Sequence, residues 1–141
     1  MSQSSEPTGA LIGTWELSAV QFESADSGKR HDLFGPTPVG RLILTSAWDF
    51  MTIITSGNRG LLHDAAGLFE TMMGYAGKFR IDGDKLIISC DLSWHPSWIG
   101  TEQVRFFKLD GEKLSLRSAK QTHPRYPDTP GYGVIDWRRQ R

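Results

Sequence analysis

Along residues 11–22 (LIGTWELSAVQF), Leu11, Trp15, Leu17 and Ala19 share one parity and Thr14, Glu16 and Ser18 the other. That two-residue period predicts a half-buried strand. The runs 40–45 and 50–55 are rich in β-branched and apolar residues, and Ser46, Ala47, Trp48 and Asp49 between them suit a hairpin connection. Over 59–73 the spacing changes. Leu61, Ala65, Leu68 and Met72, or Leu62, Ala66, Phe69 and Met73, recur at three and four residues and predict the one helix. After Gly74 the period returns to two. Asp82-Gly83 and Asp110-Gly111 each stand between apolar runs, within 78–88 and 105–116, and Asp-Gly favours a tight hairpin because both residues tolerate positive φ. Residues 24–38 read as a long loop with Leu33 and Phe34 tucked inward; a second loop carries Pro124, Pro127 and Pro130, and 132–137 form a last short strand. Residues 1–9 are small and polar and read as a flexible tail, so the folded domain spans 10–141.

About eight short antiparallel strands joined mostly in order, with one short helix, predict an all-β fold: an eight-stranded up-and-down β-barrel. Such a barrel removes the exposed sheet edge, and its interior is filled by side chains or holds one small ligand. A chain of 141 residues has material for one core. Its 16 basic residues balance 16 acidic ones, so it lacks the long-range field that gathers nucleic acid or anionic membrane. Cys90 is the single cysteine and has no internal disulfide partner. The first residues lack the basic and apolar regions of a secretion signal, and no apolar run approaches a membrane span. Together these predict a cytoplasmic protein.

Particular residues narrow the architecture. Gly13-Thr14-Trp15 is similar to the Gly-x-Trp start of lipocalins and other calycins, in which the tryptophan closes one barrel end. Residues 34–36 (FGP), 39–43 (VGRLI), 75–79 (YAGKF), 96–105 (PSWIGTEQVR) and 109–116 (LDGEKLSL) extend the likeness, and the chain resembles the lipocalin-like domain family of small bacterial and fungal proteins. The resemblance implies a barrel with a pocket for a small hydrophobic or aromatic ligand, and Arg138 or Arg139 stacked across Trp15. Some relatives belong to natural-product pathways. Where that family often carries a histidine this chain has Ser89, and His95 lies closer to the tryptophan.

Several residues could carry chemistry. If Lys108 faces water, Gln103, Arg105, Phe107 and Leu109 face inward, and Arg105 then needs a carboxylate, an enolate or ligand oxygens; the opposite parity turns Val104 and Phe106 inward and leaves Arg105 solvated. Both readings stay open. Tyr75, Gly77, Phe79 and Ile81 share an inward parity, which puts the Tyr75 hydroxyl near the rim as a general acid or as a group satisfied by a backbone carbonyl. Leu86, Ile88, Cys90 and Leu92 should also face in, with Cys90 a small hydrophobe lacking an activating base. Trp94-His95-Pro96-Ser97-Trp98 places two indoles and an imidazole on a rim loop, able to hold a flat conjugated molecule and shuttle a proton, or simply to pack the loop. Met72, on the helix, could line a lid. His31-Asp32 and His63-Asp64 do not make a metal cluster, and no metal or cofactor is expected. Nucleophile-elbow, phosphate-loop and dinucleotide motifs are absent.

The reading is a cofactor-independent cyclase or isomerase acting on an apolar oxygenated intermediate of polyketide or terpenoid type. His95, Arg105 and Tyr75 would be catalytic, and Trp94, Trp98, Gln103, Phe79, Phe107 and Met72 would bind the ligand. The alternatives are a carrier that binds and releases its ligand unchanged, and a filled barrel serving as an interaction module. A homodimer is left open.

Overall fold

The computed structural model describes residues 9–57, 59, 64–123 and 126–140. The tail over 1–8, the predicted start of the helix at 60–63 with His63, and Pro124 lie outside them. The chain runs β1 (Gly13–Ser24), β2 (Arg30–Asp32), β3 (Val39–Leu44), β4 (Asp49–Thr55), α1 (Ala65–Glu70), β5 (Met72–Asp82), β6 (Lys85–Ser93), β7 (Glu102–Asp110), β8 (Lys113–Arg117), β9 (Gln121–His123) and β10 (Tyr126–Arg139). All pairings are antiparallel, in the order β2-β1-β3-β4-β5-β6-β7-β8-β10-β9, and β1 also pairs with β10. That last ladder closes eight strands into a barrel, while the three-residue β2 and β9 extend it locally. The β5–β6 and β7–β8 hairpins fall at the two Asp-Gly pairs, but Asp82 and Asp110 are the last strand residues, paired with Lys85 and Lys113; the turns are Gly83-Asp84 and Gly111-Glu112, with only the glycines at positive φ, 64° and 62°.

One barrel end is sealed by Trp15, which is fully buried and donates its indole N–H to the Leu11 carbonyl at 3.0 Å. Register places Arg139 opposite Trp15, with its guanidinium 4.2 Å from the indole ring centroid. The same guanidinium donates to the carbonyls of Ile12, at 2.9 Å, and Ala10. One arginine thus stacks on the plug and ties down the chain that enters beneath it. Leu42, Leu44, Phe50, Ile54, Phe79, Leu86, Ile88, Leu114, Leu116 and Trp137 continue the core above this floor.

Two bulges shift the inward parity from that of a simple alternation. In β1 the register slips between Leu17 and Ala19, so Val20 and Phe22, rather than Ala19, join the buried residues. In β6 the slip falls opposite Ala76 and Gly77, and Leu92, expected inside, is 63% exposed. An extra residue reverses every side chain beyond it. Gly77 permits the close approach at this point, because a Cβ there would lie 1.9 Å from the Ser89 carbonyl oxygen.

The helix is shorter than its periodicity predicts. Asp64 caps it by accepting from Gly67 N, but Met72 and Met73 leave the helical pattern to pair with Thr55 and Ile54 of β4. A six-residue helix has few internal hydrogen bonds, and the open ladder of β4 captures the methionines. Conversely, β10 is longer than the predicted 132–137 because β1 supplies partners along Trp15–Ser24; Pro127 and Pro130 sit where the β9–β10 register is broken. Leu33 and Phe34 do pack against the core. On the outer wall Glu23 bonds Arg117 at 2.9 Å and Arg30 at 3.0 Å, linking β1 to β8 and β2.

Trp15→Ala should lower stability by about 3–5 kcal/mol, seen as a fall in the urea midpoint. The Arg117 and Arg30 guanidinium groups hold the Glu23 carboxyl below its usual range. Its stabilising effect is therefore present above the ordinary carboxylate range and lost as pH falls through the folded-state value. Glu23→Gln should cost about 1 kcal/mol at neutral pH, and the gap to wild type should close in acid melts.

Candidate functional site

At the end of the barrel opposite Trp15, a chain of rings runs from the interior to the rim. Phe50 and Tyr75, inward-facing on β4 and β5, have centroids 5.1 Å apart. Trp98 meets Tyr75 edge-on at 5.1 Å, and Trp94 meets Trp98 edge-on at 5.0 Å. His95 follows at 5.9 Å from Trp94, and Phe69 of α1 lies 5.6 Å from His95 and 6.2 Å from Trp94. Edge-on contacts set the positive edge of one ring against the negative face of the next and hold these planes in place. The helix reaches the mouth through Phe69, which the sequence reading did not single out.

The rim loop is a single 3-10 turn, Pro96–Trp98, started by proline and capped by His95. The His95 Nδ1 accepts from the Ser97 backbone N–H at 3.2 Å and lies 2.8 Å from the Ser97 hydroxyl. A backbone N–H can only donate, so the neutral ring keeps its own proton on Nε2. Trp98 is thereby turned back over the barrel, and its carbonyl accepts from the Thr101 hydroxyl at 2.6 Å.

Strand β7 takes the inward parity for Gln103, Arg105, Phe107 and Leu109: Phe107 and Leu109 pack against the core, while Phe106 lies under the Lys85 ammonium at 6.0 Å. Arg105 is half-buried, with its guanidinium carbon 6.0 Å from the Trp98 ring centroid. It donates to the Val104 carbonyl at 2.9 Å and to the Gln103 amide oxygen at 3.4 Å, and Gln103 in turn donates to Thr101 Oγ1 at 2.8 Å. Tyr75 is 6% exposed, and the Arg105 guanidinium lies close enough for its charge to act on the Tyr75 hydroxyl. Burial pushes the Tyr75 hydroxyl above its ordinary value, partly opposed by the Arg105 charge, so the phenol stays protonated at neutral pH.

Tyr75, Trp94, His95, Trp98, Gln103 and Arg105 are therefore brought to one end of the barrel. Phe79 and Phe107 are not. Phe79 packs on Trp48 of the β3–β4 turn at 5.3 Å, and Phe107 N–H donates to Asp84 of the β5–β6 turn, both toward the Trp15 end. Met72 has the parity opposite to Tyr75, and Met73 is the methionine that packs against the core. His31, singled out in the sequence beside Asp32, stacks on Tyr126 at 4.6 Å. Among the described residues no cluster of His, Cys, Asp and Glu could hold a metal ion, and no helix is long and apolar enough to cross a membrane. An apolar groove of about 580 Å³, lined by Val39, Ile43, Met51 and Ile53 with Glu16 and Arg41, lies on the outer wall of β3 and β4.

The closed eight-stranded barrel, its tryptophan plug and its aromatic mouth define a lipocalin-like protein. The sequence matches the lipocalin-like domain family over residues 12–139, and the chain belongs to that family. Two solved structures are similar along nearly the whole chain. One is an uncharacterized protein from Bacteroides eggerthii DSM 20697, at 12% identity over 92% of this chain and 98% of that one, with TM-score 0.45. The other is the wild-type fluorescent protein UnaG, at 12% identity over 94% of this chain and 99% of that one, with TM-score 0.43. No curated protein matches the chain significantly.

Cys90 is 3% exposed, and burial, with the Asp91 charge beside it, raises its thiol above the ordinary value. In native protein at pH 8, iodoacetamide should alkylate Cys90 at least about tenfold more slowly than in urea-unfolded protein. Mass spectrometry over time checks this, and equal rates would place the thiol at the surface.

Proposed function

We propose that this barrel binds a small, largely apolar, oxygenated molecule at its aromatic mouth and acts on it as a cofactor-independent cyclase or isomerase. The observation that carries this reading is the Arg105 guanidinium beside the protonated Tyr75 hydroxyl beneath Trp98. Two donors set beside a cluster of rings suit a carbonyl whose oxygen gains negative charge as a neighbouring carbon loses a proton or attacks. Trp94 and Trp98 offer faces that hold a flat conjugated chain in one conformer, which lowers the entropic part of the barrier. His95 presents Nε2–H near the same rings as a further hydrogen-bond donor to the developing oxyanion, and the proton that leaves the carbon passes to bulk water at the mouth. Intermediates of polyketide or terpenoid type have this chemistry.

A specific observation favours the carrier as second reading. The His95 Nδ1 is taken by Ser97, so the ring has no free basic nitrogen unless the cap opens. A barrel that only binds requires no base.

Incubation with a panel of polyketide and terpenoid intermediates carrying an enolisable carbonyl separates the two, with product followed by chromatography and binding by quenching of tryptophan fluorescence. The enzyme reading expects turnover that falls about a hundredfold in Tyr75→Phe and in Arg105→Gln, with binding weakened far less. Binding without conversion by the wild type would establish the carrier.

A further inference from the structure

The interior charge of the barrel is unbalanced. The ion-paired acids among the described residues are each matched to a cation other than Arg105. Glu23 pairs with Arg117 and Arg30, Asp49 with Lys78, Glu102 with Arg80, Glu112 with Arg139, and Asp136 with Arg30. The fully buried polar side chains are the uncharged Ser24, Thr52, Ser56 and Ser118, with no carboxylate among them. Arg105 therefore faces the barrel interior with no carboxylate partner among the described residues. Its hydrogen bonds go to a backbone carbonyl and an amide oxygen, neither of which carries a charge.

The groups beside Arg105 supply no counter-charge either. Tyr75 is paired in register with Thr52, and both carry neutral hydroxyls. Thr52, the one buried hydroxyl on the inner face of β4, already donates to the Arg41 carbonyl at 3.0 Å. Arg105 is thus an inward-facing cation whose partners are all uncharged.

We propose that the ligand of this barrel is an aromatic or conjugated anion, a carboxylate or enolate whose charged oxygens meet Arg105 and Tyr75 while its rings lie against Trp98. This rests on the small-molecule reading above and adds the charge of the ligand to it. A neutral ligand of the same shape would leave the guanidinium half-desolvated without a counter-ion, whereas an anion gains a charge-assisted contact and sets its π system near the face that Arg105 already shares with Trp98.

Two dyes built on one framework test it: 8-anilinonaphthalene-1-sulfonate, an anion, and N-phenyl-1-naphthylamine, its neutral counterpart. Binding of each is titrated by fluorescence to full-length wild type and to Arg105→Gln, Arg105→Lys and Arg41→Gln, the last removing an equal charge from the outer wall. Preference for the anionic over the neutral dye should fall about tenfold in Arg105→Gln, recover at least partly in Arg105→Lys, and hold in Arg41→Gln. Retained affinity for the neutral dye shows that Arg105→Gln still folds with its pocket. If both dyes bind and their ratio is the same in Arg105→Gln as in wild type, or falls equally in Arg41→Gln, the anion assignment is overturned while the small-molecule reading stands. If neither dye binds wild type, the pocket itself is refuted, and the assignment with it.

Discussion

Closure of the sheet between β1 and β10 is the constraint on which the rest depends. These are the two longest strands; β1 also pairs with β3 and β10 with β8, but the ladder between β1 and β10 forms only when the whole ring is assembled. The Trp15–Arg139 stack stands at that seam. It binds the first strand to the last, and Arg139 also satisfies carbonyls of Ala10 and Ile12, which would otherwise lie exposed at the chain's entry. A contact between residues so far apart in sequence is costly in loop entropy and forms when other strands have already brought the ends together.

The two barrel ends are built for different tasks. At the Trp15 end, side chains interlock, and the Trp15 indole and the Arg139 guanidinium are bonded to backbone carbonyls. At the other end, short segments with little regular structure of their own, the 3-10 turn and α1, meet through ring contacts. Such segments have few backbone bonds to hold them and belong to the part of a fold that opens most readily. His95 joins two roles there. It caps the turn that carries Trp98, and its ring stands among those of Trp94 and Phe69.

Much of this was legible in the chain itself. The period-two runs, the two Asp-Gly pairs and Gly-x-Trp foretold a barrel, and the rim segment 94–98 stood out by composition alone. Errors arose where one residue was inserted into a strand. Ser18 and Asp91 interrupt the alternation, and nothing in their chemistry distinguishes a bulge residue from an outward-facing polar one; Leu92 was thereby turned to the wrong side. The helix failed for a related reason. Leu68, Met72 and Met73 fit a helical stripe, but β4 offered the methionines a full ladder of hydrogen bonds, and local periodicity cannot see a partner strand. Phe79 and Phe107 share the parity of Tyr75 and Arg105, yet parity reports the face and not the height within a tilted barrel.

The amino-acid sequence by itself determined the strand count, the turns, the plugging tryptophan and the set of residues that could do chemistry, because these follow from spacing and from side-chain type. Which way Arg105 points, which terminal arginine covers Trp15 and which aromatic rings touch were decided only by the tertiary structure. Each of those depends on register between strands distant in sequence, and a shift of one residue in register moves a guanidinium from water into the barrel.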